Sequence, residues 1–227
     1  MRIAVLGTGG VGRALAGRLT ALGHDVTVGT RDVEATMART APDAFGNPAF
    51  PEWARAHGHV VVAAFPDAAA GADVIVNATS GGGSLDVLET VGADALAGTV
   101  LVDVSNPLDV SQGGLPTLFV SNTDSLGERI QRRFPDARVV KTLNTMNAAV
   151  MIDPHSVADG GHTVFMSGDD AAAKDVVAGL LRAMGWSDIL DLGDITTARG
   201  PEMLLPLWLR VMGALGTPAF QFRIARS

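Results

Sequence analysis

The chain opens MRIAVLGTGGVG, residues 1–12, and this stretch decides how everything after it is read. A short apolar run, residues 3–6, meets Gly7-Thr8-Gly9-Gly10-Val11-Gly12, and a helical pattern follows without a gap. Val11, Leu15, Leu19 and Leu22 fall at helical spacing, so one stripe faces a sheet. Arg13 and Arg18 are expected to reach water, and Gly23 to end the helix. Residues 25–29 then read as a second strand, and Thr30-Arg31-Asp32 as the loop that leaves it. Strand, glycine turn, helix and strand form the opening unit of a doubly wound α/β fold.

Further along, Pro42, Gly46, Asn47, Pro48 and Pro51 make residues 41–51 an irregular excursion. Strands are expected at 59–65, 73–77, 99–104, 117–120, 138–141, 163–167 and 189–192. Helices are expected at 67–72, 84–96, 124–134, 169–184 and 201–215. This alternation predicts a parallel sheet with right-handed crossovers, wound on both sides of the first strand. Asn106-Pro107 stops the strand at 99–104. The 227 residues suit one principal core of roughly 150 residues with a smaller unit attached, and we place the boundary near 153. The last helix carries Met203, Leu204, Leu205, Leu207, Trp208, Leu209, Val211 and Met212 and is apolar nearly all round. Such a helix is expected to be buried, in the core, in a dimer contact or against a flat-ring ligand, with Pro206 bending it.

Composition excludes several classes. Apolar residues make up 47% and charged ones 18%, which suits a sheet covered on both faces and not a disordered chain. No apolar run approaches the roughly 18 residues of a membrane span. The N-terminal apolar stretch is too short for a signal peptide, so a cytoplasmic protein is expected. The absence of Cys removes disulfides, thiolate metal sites and cysteine nucleophiles, and the absence of Tyr removes phenol chemistry. A net charge of −7 argues against nucleic-acid partners. Any phosphate must be held locally.

The glycine turn can do that. Gly7 permits the tight turn, Gly9 lets backbone approach a pyrophosphate, and Gly12 lets the helix pack closely on the sheet. The helix N-terminus adds unpaired N–H groups and about half a positive charge. The pattern therefore points to a dinucleotide. Counting about 20 residues beyond Gly12 reaches Asp32, an acidic side chain that would take a ribose 2′-hydroxyl and favour NAD. Strand alternation instead seats Thr30 and Arg31 at the ribose, and a guanidinium matches a 2′-phosphate. We read the cofactor as NADP, the alternative being that Arg31 only pairs with Asp32 or Glu34.

Ligands of open parallel sheets lie beyond the carboxyl ends of the strands. Ala78-Thr79-Ser80-Gly81, Ser105-Asn106-Pro107 and Thr142-Leu143-Asn144-Thr145 are thus candidate walls for a nicotinamide and a second ring, with plain turn chemistry as the alternative. Lys141, one of only two lysines, is a candidate general acid, phosphate contact or sheet cap. Ser80 has no local base to make it a nucleophile. His57, His59, His155 and His162 lack the companions of a metal site. Neither a metal ligand nor a catalytic acid–base pair is expected.

Taken together, GTGGVG at 7–12, GTRD at 29–32, VSNPLD at 104–109, KTLNT at 141–145, GDD at 168–170 and ARGPEMLLPL at 198–207 resemble one family across almost the whole chain. It is the NADPH-dependent deazaflavin reductases, the F420:NADP oxidoreductases. The resemblance implies a Rossmann-type domain over 1–153 and a small C-terminal α/β domain over 154–227 that forms the second-substrate pocket and dimer contacts. It also implies a homodimer and direct hydride exchange between NADP(H) and coenzyme F420. Carried over by position, Thr8, Gly9, Gly10 and Val11 would line the pyrophosphate, and Thr30 and Arg31 would hold the 2′-phosphate. Ala78, Thr79 and Ser80 would lie beside the nicotinamide, and Asn144 and Thr145 near the second ring. Two departures bear on F420 more than on NADP. Archaeal relatives tend to have a proline and a bulky aromatic where this chain has Thr79-Ser80-Gly81, and they can have His where it has Asn144. Two other readings stay open: a reductase of a small imine, carbonyl, flavin or ferric acceptor, using Lys141 or Asn144 to polarise it, and a non-catalytic NADP-binding sensor.

Overall fold

The computed structural model of the chain describes residues 1–43 and 46–226. The strands are β1 (Arg2–Leu6), β2 (Asp25–Thr30), β3 (Val61–Ala64), β4 (Val74–Asn77), β5 (Val100–Asp103), β6 (Leu108–Asp109), β7 (Thr117–Leu118), β8 (Arg138–Thr142), β9 (Thr163–Ser167) and β10 (Asp188–Asp191). The helices are α1 (Gly10–Ala21), α2 (Val33–Met37), α3 (Phe50–Ala56), α4 (Phe65–Ala69), α5 (Ser84–Val91), α6 (Ala93–Leu96), α7 (Leu126–Arg133), α8 (Ala148–Ile152), α9 (Ala171–Met184), α10 (Arg199–Met203) and α11 (Leu205–Leu215). Eight strands form one sheet in the order β10-β9-β8-β5-β4-β1-β2-β3, while β6 and β7 pair as a separate small hairpin. The first strand lies between β4 and β2, so the chain does wind outward from it in both directions.

Strand alternation divides the core. Ile3, Val5, Val76, Val102 and Val140 face α1, α8 and α9, where Leu15, Leu19, Val150 and Leu181 cover them. Leu6, Ile75, Leu101 and Val139 face α4, α5 and α7, where Phe65, Leu88 and Ile130 cover them. Each such large aliphatic side chain contributes about 1.5–3 kcal/mol on burial, and this two-sided coverage explains the near-continuous apolar strands.

Four expectations are corrected. The sheet is parallel except where β9 runs antiparallel to β8, because the chain leaving β8 returns from the carboxyl edge without crossing to the other. β9 and β10 thereby extend the same sheet beyond residue 153. The helix expected over 84–96 is two helices, since Gly92, at φ +94°, breaks it. Arg13 does not reach water: it is buried, its Nε donates to Thr8 O at 2.8 Å, and Asp43 lies 3.6 Å from its guanidinium. The irregular excursion over 41–51 crosses on that side, with 44 and 45 outside the described residues, and it covers the arginine. The last helix is not buried: only Leu205 and Trp208 of α11 are. Its backbone stays helical through Leu204, whose N donates to Gly200 O at 3.0 Å and whose O accepts from Trp208 N at 2.9 Å, and Pro206 removes one hydrogen bond where α10 passes into α11.

Candidate functional site

The glycine turn sits where β1 gives way to α1. Gly7 has φ +123°, and a Cβ there would lie 2.5 Å from Ala78 O. A Cβ on Gly12 would lie 2.1 Å from Gly7 O. Both glycines are required by close backbone approach. Gly9 differs, because a Cβ on it would meet nothing within 4 Å. Its backbone faces open space. Gly9 is also the N-cap of α1, with no side chain capping the helix and no acidic residue in the first turn. Unpaired amide groups and the positive end of the helix dipole are therefore aimed at an uncrowded surface, an arrangement that fits a pyrophosphate.

At the end of β2, Thr30 is buried and its hydroxyl lies 2.8 Å from that of Thr36. Arg31 is exposed and its side chain has no partner among the described residues, so it pairs with neither Asp32 nor Glu34. Asp32 is committed elsewhere: its carboxylate caps α2 by accepting from Ala35 N at 2.8 Å. A second guanidinium, missed from sequence, reaches the glycine turn. Arg39 Nη1 donates to Thr8 Oγ1 at 3.1 Å and lines a groove of about 490 Å³ beside the turn. Arg39 follows α2 and stands 31 positions from Thr8, so only the tertiary structure brings the two together.

Across the cleft, the three polar loops are brought together. Ala78 abuts Gly7 and Gly12, and a Cβ on Gly81 would lie 1.9 Å from Asn106 O, so the loop after β4 touches the loop after β5. Asn106 and Asn144 exchange hydrogen bonds, Asn106 Nδ2 to Asn144 O at 2.9 Å and Asn144 Nδ2 to Asn106 Oδ1 at 3.0 Å. Pro107, Asn144 and Thr145 are buried, Ala78 and Thr79 are partly buried, and Ser80 is exposed. Leu143 holds φ +60°, a conformation that costs a non-glycine residue about 1–3 kcal/mol and sharply turns the chain after β8.

Beneath these loops lies a buried polar row that sequence reasoning did not assemble. Asn77 and Asp103, the last residues of β4 and β5, and Lys141, one before the last of β8, lie in register on three adjacent strands. Lys141 Nζ lies 2.9 Å from Asp103 Oδ2, 2.6 Å from Ser105 O and 2.9 Å from Glu202 Oε1, which uses all three of its hydrogens. Burial opposes its charge, but the Asp103 and Glu202 carboxylates outweigh that and hold the Lys141 pKa above its ordinary value. Lys141 is thus an internal tie and does not offer a proton to the cleft. Glu202 also accepts from Leu126 N at 2.7 Å and Gly127 N at 3.0 Å, capping α7 from α10. The signal was present as a polar residue closing each apolar strand, VIVN, VLVD and VVKT, without any indication that the three would align.

The histidines lie apart. His57 stacks on Trp53, His155 Nδ1 contacts Asp159 O, and His162 Nε2 bonds Pro154 O. Among the described residues no group of three or more His, Asp or Glu side chains is arranged to hold a metal ion, and no helix is long and apolar enough to cross a membrane.

Comparison with known proteins places the chain among relatives. Residues 2–107 match the family model described as NADP oxidoreductase, coenzyme F420-dependent. A solved structure from Arthrobacter sp. FB24, provisionally described as an F420-dependent NADP-reductase, is 61% identical, covers 100% of both chains and superposes with a TM-score of 0.96. The F420-dependent NADP reductase of Methanothermobacter thermautotrophicus is 29% identical over 217 residues, 93% of this chain and 89% of its own. Metalloreductase STEAP3 of Rattus norvegicus is 32% identical over 212 residues, but the match spans only 38% of that longer protein. A full-length relative at 61% identity, together with the family match over residues 2–107, shows that the chain belongs to the F420-dependent NADP reductase family.

Proposed function

We propose that this chain transfers a hydride between NADP(H) and coenzyme F420. The observation that carries this is the bare backbone at Gly9, on an uncapped helix N-terminus, with Arg39 on the neighbouring Thr8 and Arg31, without a partner among the described residues, just beyond β2. In this reading Gly7, Thr8, Gly9, Gly10, Val11 and Gly12 cradle the pyrophosphate, and Arg31 takes the 2′-phosphate beside Thr30. Ala78, Thr79 and Ser80 border the nicotinamide, while Asn106, Pro107, Asn144 and Thr145 shape the opposite wall. F420 when bound supplies a ring carbon that accepts the hydride directly. The residues then have to place two rings at roughly 3–3.5 Å and exclude water, and no acid–base pair is needed. The tie that Lys141 makes beneath the loops suits that positioning role better than polarisation of a carbonyl or imine.

Residues 154–227 act in this reading as the second-substrate wall and the dimer contact of a cytoplasmic homodimer. Met203, Leu207 and Leu215 are exposed on α10 and α11, beside a groove lined by Leu115, Leu118 and Leu209. An apolar surface of this kind marks an interaction site, and a second copy of the chain is the partner we assign.

The reading is tested by offering purified protein and NADPH each of F420, FMN, a ferric chelate and a carbonyl panel, and following absorbance. Rapid oxidation of NADPH with F420 alone is expected; turnover only with another acceptor, or with none, overturns it. In the same assay Arg31→Ala is expected to lose about 1.5–3 kcal/mol with NADPH and nothing with NADH, the worth of a charged hydrogen bond.

A further inference from the structure

The buried row does more than join strands. Asp103 meets hydrogens on every side: Oδ1 accepts from Asn77 Nδ2 at 3.0 Å, Ser105 N at 3.1 Å and Ser105 Oγ at 2.6 Å, and Oδ2 accepts from Lys141 Nζ at 2.9 Å. A carboxylate can only accept, so the Asn77 amide must turn its NH2 toward Asp103. Its Oδ1 then faces Thr79, whose Oγ1 lies 2.6 Å away. A hydroxyl has one hydrogen, and this contact takes it. Ser84 Oγ sits 3.0 Å from the same Thr79 oxygen on the inner side. The remaining lone pair of Thr79, a partly buried residue at the cleft, is left for a ligand.

We infer that the Glu202–Lys141–Asp103–Asn77 row fixes the hydrogen-bond polarity of Thr79, making its hydroxyl an acceptor toward the cleft that selects the carboxamide N–H of a nicotinamide. The inference rests on the NADP reading above. Stability alone is a poor reason for the row, since a buried lysine between two carboxylates is often no better than apolar residues of similar volume. Its constraint on direction is what apolar residues could not supply. Asp103, Lys141 and Glu202 are positioning residues here, and Thr79 is the one that touches the ligand.

The test compares equilibrium dissociation constants of oxidised NADP and of its 3-acetylpyridine analogue, which keeps the carbonyl but replaces the amide NH2 by a methyl group. Wild type is expected to favour NADP by roughly fivefold, the worth of one neutral hydrogen bond. Thr79→Val is expected to bring the ratio near one, and Thr79→Ser to preserve it. Asp103→Asn is expected to abolish the preference although residue 79 is intact. The single amide oxygen can serve either Lys141 or the Ser105 N–H and Asn77, not both, so the orientation of Asn77 is no longer fixed and Thr79 becomes free to donate outward. A ratio unchanged in Thr79→Val overturns the inference, as does a ratio unchanged in folded Asp103→Asn. If Asp103→Asn does not fold, the Val and Ser variants decide: loss with Val and retention with Ser support it, and any other pair of results overturns it. Absence of saturable NADP binding to wild type would instead sink the cofactor reading itself.

Discussion

Gly9 and Gly12 have the same side chain for different reasons, and the difference is measurable. A methyl group at Gly12 would collide with the Gly7 carbonyl, whereas one at Gly9 would enter open space. Gly9 has φ −75°, so alanine can adopt its backbone. Gly9→Ala is therefore expected to change stability by no more than about 1 kcal/mol. NADPH affinity should nevertheless fall at least tenfold, because the new methyl occupies the space assigned to the pyrophosphate. Thermal unfolding and a binding titration on the same preparation check this; unaltered affinity would remove Gly9 from the phosphate cradle. At Thr30 the residue scale gives a mixed answer. Read as the first residue of the loop beyond the strand, it is instead the last residue of β2, and its hydroxyl is turned inward to Thr36, a contact set by the position of α2. Arg31 needed no such context, since it lies exposed in the loop that leaves β2.

At the scale of elements, α7 is held at its start from two directions. Ser125 accepts from Glu128 N at 3.1 Å and donates to Glu128 Oε2 at 2.8 Å, a reciprocal cap. Arg199, which opens α10, grips Glu128 with two nitrogens, while Glu202 one turn later caps Leu126 and Gly127. The Arg199 hydrogen bonds, aided by Ser125 and opposed by burial, hold the Glu128 carboxyl below its ordinary pKa. A depressed carboxylate pKa stabilises the fold above the unfolded-state value, and that contribution is lost as pH falls through the folded-state value. Glu128→Gln is thus expected to lower the neutral-pH unfolding free energy by about 1 kcal/mol, a modest figure because Arg199 is partly exposed. The gap between variant and wild type should close below the usual carboxylate range. Urea titrations at pH 7 and at about pH 3 check it; a gap that persists in acid would mean that packing, not charge, holds the α7–α10 junction. The last helical segment belongs to this scale as well. Pro206 was legible in sequence, yet the different jobs of α10 and α11 depend on Glu202 finding Lys141.

For the whole molecule, the polar row along β4, β5 and β8 lies below the loops that border the cleft, and α10 anchors the C-terminal segment to it. The tail continues this attachment: Phe222 O accepts from Thr163 N at 3.0 Å, and Phe220 stacks on Trp208. The apolar side of α11 that this packing leaves exposed is the proposed dimer face. Leu207 is 52% exposed and makes a clean probe. Leu207→Lys is expected to shift sedimentation from dimer to monomer while leaving the thermal midpoint of the isolated chain within a few degrees. A wild type that sediments as a monomer, or a variant that remains a dimer, would count against that face.

The sequence by itself determined the opening strand–turn–helix, the positions of the polar loops after β4, β5 and β8, and the kind of cofactor to look for. These rest on signals within a few residues of one another, such as glycine where backbones crowd or proline where a strand must stop. Only the tertiary structure decided which polar groups meet. Asn77, Asp103, Lys141 and Glu202 are separated by 26, 38 and 61 positions (103 − 77, 141 − 103 and 202 − 141), and nothing local to any of them specifies a partner. Strand register and the docking of α10 bring them into contact. The exposure of α11 follows the same logic, because an apolar helix is buried only when the rest of the chain supplies a second layer to cover it.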